Sequence, residues 1–206
     1  MTCKILVVGN AKCGKSSIVR RFVENRFEVA YNSTVGADYI KKDILVPEND
    51  GRDGGEAADP ECIRLQLWDI AGQDRFAHLT RAFFRRAKGA LVVCGSDITR
   101  KGTFEAVSNW KAEIDAWCGA EGCSIPVFLL ANKVDLLQDV HQSFLAGARI
   151  EKTCSEEGFA GWYITSARTG DNIEAAMTDL AARILKLERE AEEAADAEDV
   201  GIDATP

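Results

Sequence analysis

Histidine is nearly absent, at two residues in 206, and no cysteine pair stands at CxxC spacing with histidine partners. The ligand patterns of a structural zinc site are therefore missing. His78 and His141 stand alone and read as surface or packing residues. The seven cysteines are scattered and several lie in apolar runs, as Cys94 does after Ala90-Leu91-Val92-Val93, so reduced and mostly buried thiols are expected. No stretch approaches the roughly 18 uninterrupted apolar residues of a membrane span. The start, Met1-Thr2-Cys3-Lys4 running at once into Ile5-Leu6-Val7-Val8-Gly9, lacks the layout of a signal peptide and implies cytoplasmic synthesis and function. Basic charge is lacking too. From Glu188 onward eight acids face a single base, Arg189, so nearly all of the net charge of −8 belongs to that tail. A near-neutral body offers no electrostatic case for nucleic acid, and an acidic tail is weakly repelled by anionic lipid.

What is present is a globular composition, 46% hydrophobic and 28% charged, with no internal repeat and no sign of a second domain. A monomer is expected. Short β-rich apolar runs alternate with longer amphipathic stretches, which predicts βα units and a mostly parallel sheet. The candidate strands are Lys4–Gly9, Tyr39–Val46, Cys62–Ile70, Ala90–Cys94, Pro126–Asn132 and Trp162–Thr165. The candidate helices are Lys15–Glu24, a short one near Thr80–Ala87, Thr103–Cys118, Gln142–Glu157 and Ile173 to about Leu187. In the last of these Ile173, Met177, Leu180, Ile184 and Leu187 form one apolar stripe. The domain is thus drawn as 1–187, followed by a flexible acidic tail over 188–206. Residues 47–60 are turn chemistry with little to bury and read as a mobile hairpin tip.

Gly9-Asn10-Ala11-Lys12-Cys13-Gly14-Lys15-Ser16 matches G-x-x-x-x-G-K-[ST] between a strand and a helix, the context that motif requires. Its glycines let successive N–H groups turn inward on a phosphate, and the helix N-terminus adds the positive end of its dipole. Lys15 would reach the β- and γ-phosphates, and Ser16 would offer a hydroxyl to magnesium. Lys12, Cys13, Gly14 and Ser17 complete the candidate cradle. This loop alone does not distinguish ATP from GTP.

Asn132-Lys133-Val134-Asp135 follows an apolar strand and stands at its carboxyl end, where open α/β sheets bind ligands. Here the sequence resembles the small GTPases, in which N-K-x-D reads guanine. A carboxylate at Asp135 can accept from N1–H and the exocyclic amino group, a paired donor edge that adenine lacks. Asn132 and Lys133 would brace the loop. Thr165-Ser166-Ala167-Arg168 is similar to the family's second base-contacting motif, with Arg168 in place of the usual lysine. Backbone N–H groups at Ser166, Ala167 and Arg168 would face the guanine oxygen. The resemblance extends to Asp69-Ile70-Ala71-Gly72-Gln73 and to Ser33-Thr34-Val35-Gly36. It implies that Asp69 holds magnesium through a water, that Gly72 offers its N–H to the γ-phosphate, and that Gln73 orients the attacking water. Thr34 would complete the metal shell only while a γ-phosphate is present. Phe27 would pack against the base and Tyr31 would cover the phosphates. Lys15, Thr34 and Gln73 are the implied catalytic set, with Mg2+ as cofactor and GTP or GDP as the bound nucleotide. The implied fold is the α/β small G domain of P-loop NTPases, a six-stranded mostly parallel sheet flanked by about five helices.

Within that family, Trp68-Asp69-Ile70-Ala71-Gly72-Gln73-Asp74-Arg75-Phe76 resembles the Rab run W-D-T-A-G-Q-E-R-F, and the likeness spans Lys4 to about Leu187. Tyr39, Trp68 and Phe83 fall where Rab proteins place the aromatic triad that effectors read. Ile70, Leu65-Gln66-Leu67, the long hairpin and Thr103-Phe104-Glu105-Ala106-Val107 are similar to a Rab subgroup linked to lysosome-related organelles and mitochondria-linked trafficking. The implied activity is a slow GTP-hydrolysing switch that recruits effectors in vesicle traffic, peripheral on the cytosolic face of endomembranes. Its implied partners are an exchange factor, a GTPase-activating protein and effectors. Three features depart from the pattern. Lys12 is bulky and charged where the family usually carries a small residue, which keeps open a nucleotide-holding scaffold with little turnover. No arginine of the first switch is placed to act in cis. The last cysteine is Cys154, whereas Rab proteins are prenylated on C-terminal cysteines, so either a terminal segment is absent or the switch is unanchored.

Overall fold

The computed structural model describes residues 1–29, 34–47, 59–72, 82–95, 101–119, 124–137 and 140–201. Within them the chain runs β1 (Thr2–Val8), α1 (Lys15–Glu24), β2 (Ala37–Val46), β3 (Glu61–Ile70), β4 (Gly89–Gly95), α2 (Lys101–Cys118), β5 (Val127–Asn132), a 3-10 turn (Val134–Leu136), α3 (Val140–Glu157), β6 (Gly161–Thr165) and α4 (Ile173–Gly201). Of the expected short helix near 80–87, residues 82–84 are helical, while 80 and 81 lie outside the described residues, as does 48–58 of the hairpin tip.

The strands form one sheet in the order β2-β3-β1-β4-β5-β6. Only the β2–β3 pair is antiparallel. The central strands read as unbroken apolar runs because helices cover both faces of the sheet. Their period-two alternation divides them between two cores. Ile5, Val7, Leu91, Val93, Phe128 and Leu130 point toward α1 and α4. Leu6, Val8, Ala90, Val92, Leu129 and Ala131 point the other way, with Val107 and Ile114 of α2 and Ile150 of α3. Each Leu or Ile so buried contributes roughly 1.5–3 kcal/mol. Among the described residues Cys3, Cys13, Cys94, Cys118 and Cys154 are free and buried, and Cys62 is free and exposed.

The last helix is longer than its apolar stripe. Ile173, Met177, Leu180, Ile184 and Leu185 are buried, and the expected end near Leu187 gives way to a helix running to Gly201. Two ion pairs hold the turn at the end of the core, Lys88 to Glu188 at 2.7 Å and Arg189 to Glu61 at 3.0 Å. Beyond them an alanine- and glutamate-rich stretch of high helix propensity continues the helix, exposed as far as Ala197. No helix among the described residues is long and apolar enough to cross a membrane.

Candidate nucleotide site

Parallel strands end on one side of the sheet, and their register sets the neighbours of the cleft there. Val7 pairs with Asp69, and Asn132 pairs with Thr165. The loop after β1 curls because Gly9, Lys12 and Gly14 adopt positive φ, at 139°, 65° and 103°. The first and third of these are glycines, which take such angles without steric cost. Lys15, buried in the first turn of α1, places Nζ within the curl, 2.9 Å from the Gly9 carbonyl and 3.0 Å from that of Asn10.

Beside it three oxygen-bearing side chains from separate segments meet. Ser16 Oγ donates to Asp69 Oδ2 and lies 3.0 Å from Thr34 Oγ1, which itself reaches Asp69 Oδ2 at 3.2 Å. The second carboxylate oxygen, Asp69 Oδ1, is buried and has no hydrogen-bond partner among the described residues. Burial pushes the Asp69 carboxyl above its ordinary range, against the pull of the Ser16 and Thr34 hydroxyls and the Lys15 charge. An orphaned buried carboxylate oxygen beside two hydroxyls is a hard oxygen donor set. It fits Mg2+.

The loop after β3 lies directly on the phosphate loop. Gly72 accepts a hydrogen bond from the Ala11 N–H at 3.1 Å, and Ala71 N–H donates to the Gly36 carbonyl at 2.9 Å. A side chain at Gly72 would collide with the backbone of Gly9, Asn10 and Ala11.

At the far end of the cleft a buried Asn132 joins two loops. Its Nδ2 donates to the Cys13 carbonyl and its Oδ1 accepts from the Ala167 N–H, both at 3.0 Å. Lys133, at φ 72°, donates to the Lys12 carbonyl at 2.6 Å. Ser166 Oγ donates to Asp135 Oδ1 at 2.7 Å, and Arg168 Nη1 stands 4.0 Å from Asp135 Oδ2. The Ser166 N–H is taken by the Asp171 carbonyl at 3.2 Å. The two base-motif loops therefore brace one another through side chains.

Lys15, Ser16, Thr34, Asp69, Gly72, Asn132, Lys133, Asp135, Ala167 and Arg168 line one cleft of about 1050 Å³, which also takes in Gly14, Ser17 and Phe27, while Cys13 and Ser166 are buried and not part of its lining. Lys12 contributes to its wall as well. Tyr31 and Gln73 lie outside the described residues. On the outer face of the sheet Tyr39 pairs across the strands with Trp68, their rings stacked at 5.1 Å, and Phe83 tilts against Trp68 at 5.8 Å. Tyr39 is 49% exposed, while Trp68 and Phe83 are half-buried against the core beneath it.

Three contacts have no counterpart in the sequence reading. Arg21 donates through Nε and Nη2 to the carbonyls of Ala167 and Arg168, at 2.8 and 2.6 Å. Trp110 Nε1 donates to Asn10 Oδ1 at 3.1 Å. Lys4 Nζ lies 4.4 Å above the Trp68 ring and donates to the Arg85 carbonyl at 2.9 Å. None belongs to a local motif, and each joins residues far apart in the chain.

The Ras family model matches residues 4–186. The chain is 46% identical over 187 residues to Ras-related protein Rab-32A of Dictyostelium discoideum, covering 89% of this chain and 78% of that one. It is 43% identical over 183 residues to human Ras-related protein Rab-32, covering 88% and 74%. To rat Ras-related protein Rab-7L1 it is 36% identical over 188 residues, covering 91% and 84%.

Proposed function

This chain belongs to the Ras family and is a Rab small GTPase of the Rab-32 kind, and on that footing we propose that it binds guanine nucleotide with Mg2+ and recruits effectors while GTP-loaded. The observation that carries the proposal is convergence. A lysine within the curl of the phosphate loop, a three-oxygen cluster and an aspartate braced by Ser166 and Arg168 share one cleft.

Lys15 neutralises β- and γ-phosphate charge, and the N–H groups of Lys12 to Ser17 cradle the same oxygens. Ser16 and Thr34, with Asp69 through a water, would hold Mg2+, which would supply neutralisation of phosphate charge when bound. Asp135 accepts from the guanine edge, with one oxygen steadied by Ser166. Asn132, Lys133, Ala167 and Arg168 shape the base pocket, and Phe27 packs on its open side. Gln73 orients the attacking water and Tyr31 covers the phosphates. Positioning rather than covalent help lowers this barrier, so a partner's arginine would add roughly 10³–10⁵ in rate.

Thr34 and Gly72 belong to loops already joined by the bond from Ala71 to Gly36. Loss of the γ-phosphate releases both, and the adjoining Tyr39, Trp68 and Phe83 surface changes with them. Effectors of membrane traffic on the cytosolic face of endomembranes are the partners this surface suits.

Chromatography of the nucleotide released from denatured protein tests the base assignment, and guanine nucleotide is expected. Recovery of adenine nucleotide would overturn the role of Asp135. A second reading, a nucleotide-holding scaffold, draws on Lys12, a bulky residue held at φ 65° in the loop. Single-turnover hydrolysis separates the two: wild type should exceed Gln73→Leu clearly, whereas equal and negligible rates favour the scaffold.

A further inference from the structure

We propose that Arg21 is a positioning residue for guanine recognition, acting on the base loop from behind; this rests on the guanine reading of the cleft. Arg21 lies on α1, six residues past Lys15. One edge of its guanidinium, Nε and Nη2, donates to two successive carbonyls, Ala167 at 2.8 Å and Arg168 at 2.6 Å. The remaining nitrogen, Nη1, donates to both the carbonyl and Oδ1 of Asn25, each at 3.1 Å. Asn25 is the left-handed cap that ends α1, so the guanidinium is itself fixed at the helix terminus.

The consequence passes through the loop to the reading carboxylate. The Arg168 carbonyl held toward α1 belongs to the peptide whose N–H, that of Thr169, donates to Ser166 Oγ at 3.2 Å, so the grip of Arg21 reaches Ser166 through one peptide unit. The loop also carries Ser166, whose hydroxyl fixes Asp135 Oδ1 at 2.7 Å. Arg168 brings its guanidinium to 4.0 Å from Asp135 Oδ2. One arginine outside every nucleotide motif thereby sets the orientation of the carboxylate that distinguishes guanine. It also joins α1, whose first turn binds phosphate, to the loop that binds the base. A lysine cannot replace it in full, since an ammonium is a point donor and not a planar fork.

The experiment compares Arg21→Ala, Arg21→Lys and wild type, each loaded with a fluorescent GDP analogue and chased with excess GDP. Release should quicken at least about tenfold in Arg21→Ala, the scale of lost charge-assisted bonds, and by an intermediate factor in Arg21→Lys. The preference for GDP over inosine diphosphate, which lacks the exocyclic amino group, should shrink in step. Hydrolysis of GTP already bound should change by less than about twofold, since the phosphate end keeps its contacts. Release at the wild-type rate in Arg21→Ala overturns the inference. So does a loss of hydrolysis and melting temperature in step with faster release, which marks general damage. Should Arg21→Ala not fold, Arg21→Lys decides by the same release and selectivity measurements. Failure of wild type to retain GDP refutes the guanine reading itself and is seen before any variant is compared.

Discussion

Asn132 donates to the carbonyl of Cys13 across 119 positions of chain, at 3.0 Å and out of reach of solvent. With its other amide atom on the Ala167 N–H, it ties the phosphate loop to the base loop.

Asn132→Ala removes both bonds and leaves a buried carbonyl and a buried N–H unpaired. The expected cost is about 2–4 kcal/mol, or a melting temperature lower by roughly 5–10 °C. GDP release should accelerate at the same time. Asn132→Asp keeps an acceptor for Ala167 but sets a buried carboxylate oxygen against the Cys13 carbonyl, so it should destabilise at least as much as Asn132→Ala. Thermal melting and nucleotide-release kinetics of both variants check the ordering.

Gly72→Ala places a methyl against the backbone of the phosphate loop, which cannot yield as a flexible side chain would. The bond from Ala11 N–H to the Gly72 carbonyl should break and the loop should shift. A displacement near 1 Å costs on the order of a hundredfold in rate, so single-turnover GTP hydrolysis should drop by about that factor. Hydrolysis at the wild-type rate would contradict the contact's importance.

Burial raises the Asp69 carboxyl from its ordinary value of 3.8. The sign follows from linkage: for a raised carboxyl, the stabilising contribution is complete below the unfolded pKa and is lost as pH rises through the folded one. Above the unfolded pKa the folded carboxyl therefore carries a cost that asparagine does not. Without divalent metal, Asp69→Asn should melt higher than wild type at pH 7, and the gap should close on acidification. With GDP bound, the same variant should lose the magnesium dependence of release. Ser16→Asn should also weaken that dependence and favour GDP or the empty state. Melting curves in chelator across pH and release assays with and without Mg2+ test all three statements.

Cysteine reactivity should be selective. Burial pushes the Cys94 and Cys154 thiols up to about 12, leaving roughly one in ten thousand as thiolate at pH 8. Cys62 stands exposed on β3. Mass mapping after brief iodoacetamide treatment should find Cys62 alkylated and both buried thiols intact until the protein is denatured.

The fold and the cleft were legible where chemistry is local. The six strands, and the helices among the described residues, followed from short apolar runs alternating with longer amphipathic stretches, since the central strands are apolar without a break. Lys15, Ser16, Asp69, Asn132 and Asp135 stand at strand ends in contiguous motifs, and the parallel sheet brings those ends together. Arg21 was not legible because its partners lie 146 and 147 positions away and are main-chain carbonyls, which no residue identity advertises. Trp110 reaches Asn10 across 100 positions in the same way. The length of α4 was misjudged because an apolar stripe measures packing, whereas helix propensity alone continues the exposed turns past Leu187.

The long α4 also settles where the protein's charge is felt. The helix starts at Ile173, two residues past Asp171, so at 1.5 Å per residue the first of the terminal acids, Glu188, lies about 22 Å along its axis. Those from Glu190 to Asp199 lie farther still along the same helix. Ionic screening at physiological salt extinguishes exposed charge over about 8 Å. An anion approaching Lys15 therefore meets a nearly neutral body, and the overall charge of −8 does not oppose its arrival. Shortening the acidic segment should leave the salt dependence of nucleotide association unchanged.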